Sequence, residues 1–171
     1  GKVDILINNA GVGGKESPIL EIEESEWDET INADLKALYF LSKLFAAQVK
    51  EQGTGGRIVN MASAAGIKAA KYTSVYACAK AAVIHLTKIM ANEWARYGIN
   101  VNAIAPGYVV TDMTKDVMAN EKNANAVMKM IAMRRFGQVD DIAGVALFLC
   151  TDASKYMTGV LIPVDGGMTI G

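Results

Sequence analysis

A single histidine and two cysteines in 171 residues leave little for metal binding. A zinc site needs three or four converging ligands, and His85 with the widely separated Cys78 and Cys150 does not supply them. The two cysteines each fall in a helical pattern and are expected to be reduced core thiols rather than a disulfide. Charge is equally unassertive, with 17 basic and 18 acidic residues giving a net −1, so neither nucleic acid nor an anionic membrane is an expected partner. No apolar run reaches the length of a membrane span, and no basic segment followed by an apolar one opens the sequence; a cytoplasmic protein is expected. Repeats, low-complexity tracts and interdomain linkers are missing as well. What remains is 51% hydrophobic and 20% charged, enough to bury a sizeable core in one globular domain or the larger part of one.

The hydrophobic pattern alternates between short apolar runs and longer helical stretches. Residues 3–8 form an apolar run with little alternation, as expected of a strand covered on both faces. Residues 24–50 carry helical spacing through Trp27, Ile31, Leu35, Leu38, Leu41 and Phe45, and stop at Gly53-Thr54-Gly55-Gly56. A second strand is expected at 57–62. A long helix at 73–97 places Val75, Ala79, Val83, Leu86 and Met90 at core spacing and ends at Gly98. A third strand at 99–105 leads into a helical loop, then a helix at 140–150 that starts at Asp140 or Asp141, and a last strand at 160–164. Strands alternating with helices indicate a parallel α/β sheet.

Within the long helix, Tyr76 and Lys80 are four residues apart, which sets phenol and ammonium side by side. Ser63 lies thirteen residues before the tyrosine. A neighbouring ammonium favours the phenolate and is expected to lower the tyrosine pKa, while the serine can hydrogen-bond the same substrate oxygen. Together they can move a proton on or off a carbonyl or alcohol oxygen. The pair alone also fits an aromatic packed beside a solvated lysine. Its neighbours strengthen the chemical reading: Asn8-Asn9-Ala10-Gly11, Ser63 and Pro106-Gly107 each follow a predicted strand, where open parallel sheets bind ligands.

With these pieces in order, the sequence resembles the classical short-chain dehydrogenase/reductases over its whole length. The matching motifs are Asn8-Asn9-Ala10-Gly11, Ser63 with Tyr76 and Lys80, Pro106-Gly107-Tyr108-Val109-Val110-Thr111, and Val164-Asp165-Gly166-Gly167. The resemblance implies a Rossmann-type doubly wound parallel sheet and an oxidoreductase that uses NAD or NADP to interconvert a carbonyl and a secondary alcohol, as a homotetramer or dimer. Tyr76 would be the general acid or base, Lys80 would lower its pKa and bind the nicotinamide ribose, and Ser63 would orient the substrate oxygen. Asn9 matches a residue lying against the cofactor ribose, or else fixes the turn at Gly11. Ala10, Gly11, Pro106 and Gly107 fall in cofactor-binding motifs, and Val109 and Thr111 match contacts to the carboxamide.

Two departures from the family pattern stand out. The family opens with strands and a glycine-rich G-x-x-x-G-x-G turn that are not found here; Gly11, Gly13 and Gly14 follow the strand matching the family's fourth. The expectation is an incomplete sheet lacking the family's first three strands, with residues 1–171 one partial domain and the run at 3–8 an unpaired edge. The second departure is Asp34, in Asp34-Leu35-Lys36-Ala37, where the family often carries an asparagine that holds a water of the proton relay. A carboxylate there is costly unless paired and would raise the tyrosine pKa.

Substrate class is open between sugar acids or polyols and 3-oxoacyl groups, to which the stretches 106–114 and 133–137 are similar. Arg134 and Arg135 could meet an anionic substrate or be surface charges. Met113, Met118, Met128, Met130 and Met133 fall in the segment that covers the site in the family, and could line a pocket or pack as core. The alternative function is a cofactor-free remnant acting as an oligomerisation module, its helices being those that form a subunit interface in the family.

Overall fold

A computed structural model describes residues 1–170. Four parallel strands, β1 (Ile5–Asn8), β2 (Gly56–Met61), β3 (Ile99–Pro106) and β4 (Leu161–Val164), form one sheet in the order β1-β2-β3-β4. Each predicted strand is present, with bounds moved by one or two residues. The register aligns Asn8 with Asn60, and Met61 with Ile104, so the strands finish near one edge of the sheet.

Helices cover both faces, because alternate residues of the buried strands point opposite ways. Ile58 of β2 and Ile99, Val101, Ala103 and Ala105 of β3 face the helices α2 (Ala37–Gln52) and α3 (Ser74–Trp94). They pack with Leu38, Phe45, Val49, Val83 and Met90. Val59 and Ile104 face the other way, toward Ala146 and Leu149 of a C-terminal helix, Val139–Leu149. Val49 and Val83 are completely buried, and each stabilises the fold by about 1.5–3 kcal/mol relative to exposure. The fold is a Rossmann-like α/β sheet, and β1 is the edge strand of the described residues, with Ile5 and Ile7 more than 40% exposed.

The helix predicted over 24–50 is not continuous. It divides into α1 (Glu24–Ile31), a π-helical turn (Asn32–Lys36) and α2. The apolar spacing runs through the turn without a glycine or proline, so periodicity alone gives no break. Trp27 and Leu41, expected in the core, are half exposed; the extra residue of the turn rotates the faces of the two segments relative to each other. Helix α2 ends at Gly53, in the left-handed region, as its sequence predicts. Helix α3 passes through a short 3₁₀ turn to Gly98, also left-handed, whose carbonyl would lie 2.7 Å from a side chain placed at Gly55.

The connection between β3 and β4 carries α4 (Lys115–Ala119), α5 (Glu121–Met130) and α6 (Val139–Leu149). Helix α6 is capped by Gln138 rather than by an aspartate; the Gln138 N–H donates to Asp141 Oδ2 at 2.7 Å. Cys150 is half-buried, whereas Cys78 is exposed on α3, so only one of the two thiols is near the core; both are free. No helix among the described residues is long and apolar enough to cross a membrane.

Candidate functional site

Parallel strands bring their C-terminal ends to one edge of the sheet, and the motif residues follow those ends. Asn9, Ala10 and Gly11 leave β1, Ser63 leaves β2 two residues after Met61, and Gly107 leaves β3. Tyr76 and Lys80 come from the first turns of α3. The π turn supplies Asp34.

Lys80 is the hub of this cluster. Its ammonium donates to the Met61 carbonyl at 3.2 Å and lies 3.4 Å from Asp34 Oδ2. It also sits 5.5 Å from the centre of the Tyr76 ring, within cation-π range. The side chains of Lys80 and Asp34 are 6% and 0% exposed, and a charge so deeply placed is tolerated only with a partner. Asp34 Oδ1 accepts the Val12 N–H at 2.7 Å; Oδ2 is buried and its only described partner is the lysine charge. The carboxylate expected to be costly is thus paired. Gly11 makes the approach possible, since a side chain there would begin 2.8 Å from Asp34 Oδ1 and 3.3 Å from Lys80 Nζ.

The electrostatics of Tyr76 run opposite to the expectation. Burial pushes its phenol above the usual tyrosine value, a hydrogen bond with Ser63 draws it down, and the Asp34 charge pushes it up again. A lysine four residues away lowers a phenol when its charge is unopposed, and here Asp34 opposes it. Burial likewise pushes the Lys80 ammonium below its ordinary value, with Asp34 pulling it back. Ser63 also accepts the Ala65 N–H at 3.1 Å, which fixes its side chain at the start of the turn Ala64–Gly66.

Behind the cluster runs a buried polar ladder that sequence reasoning missed. Asn8 Nδ2 donates to Asn60 Oδ1 at 2.8 Å and to Ser42 Oγ at 2.9 Å, and Asn60 Nδ2 donates to Thr87 Oγ1 at 3.0 Å. Thr87 in turn donates to the Val83 carbonyl at 2.8 Å. The ladder links β1, β2, α2 and α3. Its one sequence signal is an asparagine in each of two apolar strands.

The remaining predicted residues divide. Gly107 packs so closely that a side chain would begin 2.9 Å from the Asp165 backbone, and Pro106 is the last residue of β3, opposite Val164. Val109 is buried and its carbonyl accepts from Thr114 Oγ1. Thr111 is exposed, and its N–H donates to Thr114 Oγ1 at 3.2 Å. Arg134 and Arg135 do not face the cluster: Arg135 grips Asp141 with two hydrogen bonds of 2.7 and 3.1 Å, and Arg134 donates to the carbonyls of Met128 and Lys129 at the end of α5. Both remain exposed at the surface. Met113 lies 3.4 Å from where a Gly13 side chain would start, in the loop after β1, whereas Met133 lines a cavity of about 540 Å³ with Tyr108, Arg135, Pro163 and Gly166. His85 is exposed on α3.

The sheet and motif order define a short-chain dehydrogenase/reductase, and the chain belongs to that family. Residues 1–169 match the family model described as enoyl-(acyl carrier protein) reductase. The chain is 42% identical over 167 residues to the 2-dehydro-3-deoxy-D-gluconate 5-dehydrogenase of Dickeya dadantii, covering 98% of this chain and 66% of that protein. It is 39% identical over 168 residues to the 3-oxoacyl-(acyl-carrier-protein) reductase of Staphylococcus epidermidis, covering 98% and 67%. The structure of a gluconate 5-dehydrogenase from Burkholderia cenocepacia, in complex with NADP and tartrate, superposes with a TM-score of 0.96 at 34% identity, covering 100% of this chain and 66% of that one. The chain therefore spans about two thirds of the length of the curated relatives it matches.

Proposed function

We propose that this chain is the proton-handling part of an NAD- or NADP-dependent oxidoreductase that interconverts a carbonyl and a secondary alcohol. The observation that carries the reading is the convergence of Ser63, Tyr76 and Lys80 from β2 and α3 at the edge where the strands end. A nicotinamide, when bound, supplies or accepts the hydride. Tyr76 gives the proton to the carbonyl oxygen or takes it from the alcohol, Ser63 orients that oxygen, and Lys80 balances the charge that develops on it.

The residues present fit a nicotinamide cofactor. Asn9, Ala10 and Gly11 are exposed where β1 ends, and Gly107 brings bare backbone to the end of β3. They would hold the ribose side of the cofactor with Lys80, and Pro106, Val109 and Thr111 its nicotinamide side. Relatives whose names place them on sugar acids and on 3-oxoacyl groups support a small carbonyl substrate of either class.

Residues 1–171 act as one partial domain in this reading, and the protein works as a dimer or tetramer. Exposed Tyr39, Phe40, Leu41 and Leu44 on α2 support association. The test is turnover of the protein at its full natural length with Tyr76→Phe. Loss of about 10²–10⁴-fold in kcat with retained cofactor binding is expected; unchanged turnover would refute the assignment.

A further inference from the structure

We propose that Asp34 is a positioning residue for the proton donor: its carboxylate offsets the charge of Lys80, helps hold the ammonium beside the Met61 carbonyl, and so sets the pH range in which Tyr76 works. The inference rests on Tyr76 being the acid or base. It turns on a residue at which this chain departs from the asparagine the family often carries.

Three observations meet at this carboxylate. Oδ1 is locked by the Val12 N–H at 2.7 Å, so the group cannot swing away. Oδ2 is fully buried and answers only the lysine, at 3.4 Å. The π turn that carries Asp34 adds one residue to the helix and aims the side chain at the loop after β1 instead of along the helix. An asparagine could make the first contact but not the second. The carboxylate thus does something beyond holding a turn: it removes a unit of positive charge from the surroundings of the phenol.

The charged groups bearing on Tyr76 are Lys80 from its own helix and Asp34 from the π turn, while Ser63 from the end of β2 contributes a neutral hydrogen bond. With the pair intact the phenol keeps its proton through neutral pH, consistent with its raised value. It is then ready to donate to a carbonyl, and it must lose a proton to the medium before it can accept one from an alcohol. Reduction should stay fast into alkaline solution, and oxidation should rise with pH.

The test uses the full-length protein and two readouts. The first is phenolate absorbance of the cofactor-free protein, with Tyr76→Phe subtracted; the second is the pH profile of kcat and KM in both directions. Asp34→Asn, which keeps the acceptor for Val12, is expected to lower the phenolate midpoint and the midpoint of the oxidation profile together by about one pH unit. Oxidation at neutral pH then rises by up to about tenfold with KM little changed. A midpoint that is unmoved or raised overturns the proposal, and so does a wild-type phenolate midpoint below the ordinary tyrosine value, a measurement that needs no Asp34 variant. Full activity in Tyr76→Phe instead refutes the acid-base assignment and leaves the charge pair without a role in catalysis.

Discussion

Two of the protein's ion pairs, each a basic side chain on an aspartate, sit in opposite settings. Arg135 and Asp141 meet on the surface with two good hydrogen bonds, and Asp34 and Lys80 meet in the interior at a longer distance with fewer. The better-looking geometry belongs to the less consequential pair. On the surface each partner has water as an alternative, so the contact staples the start of α6 to the preceding loop and does little more. In the interior neither partner has another opposite charge to turn to, and the value of the pair lies in what happens when one member is left alone.

Removing one interior partner should therefore break the comparison most sharply. Lys80→Met leaves the Asp34 carboxylate buried with the Val12 N–H but no opposite charge, and a loss of about 3–5 kcal/mol in denaturant unfolding is expected. A loss under about 1 kcal/mol would show that the carboxylate escapes to water or is protonated at little cost. Gly11→Ala tests the same pair from the side. Its added carbon would start 2.8 Å from Asp34 Oδ1, and a cost of about 1–3 kcal/mol is expected. Tight packing is ruled out as the reason for glycine if the alanine protein unfolds at the same denaturant concentration as wild type.

The smallest effect should come from the surface pair. Arg135 holds the Asp141 carboxyl at about 2, helped by the Gln138 N–H. For a depressed carboxylate the sign is fixed: the stabilisation is present above the unfolded value near 3.9 and disappears as pH falls through about 2. Arg135→Met should return the Asp141 titration toward the ordinary range, as read by NMR, and begin acid unfolding at higher pH. Turnover at neutral pH should not change. A large drop in turnover would mean that Arg135 reaches substrate after all.

The same contrast explains what was legible in the sequence. Strand order and the strand-end location of Asn9, Ser63 and Gly107 were readable because apolar runs and glycine breaks depend on neighbours along the chain. Tyr76 and Lys80 were readable for the same reason, being one helical turn apart. The partner of Lys80 was harder, since Asp34 lies 46 residues away on a π turn that its own periodicity conceals. The direction of the Tyr76 shift depended first on burial and then on that partner, and both are properties of the assembled fold. Arg134 and Arg135 were ambiguous because a charge in a sequence does not show whether a carbonyl or carboxylate nearby has already claimed it.

The polar ladder through Asn8, Ser42, Asn60 and Thr87 carries a consequence for assembly. Asn8 stands directly opposite Asn60, so each amide finds its mate only when β1 and β2 are aligned as they are. Sliding one strand by a single residue would turn an amide toward aliphatic side chains, at about 1–3 kcal/mol for each group left unmet. The buried faces of the strands favour the same register, since a one-residue slip turns every side chain to the other face. Two asparagines therefore mark one register of β1 against β2 as the one in which both amides are satisfied.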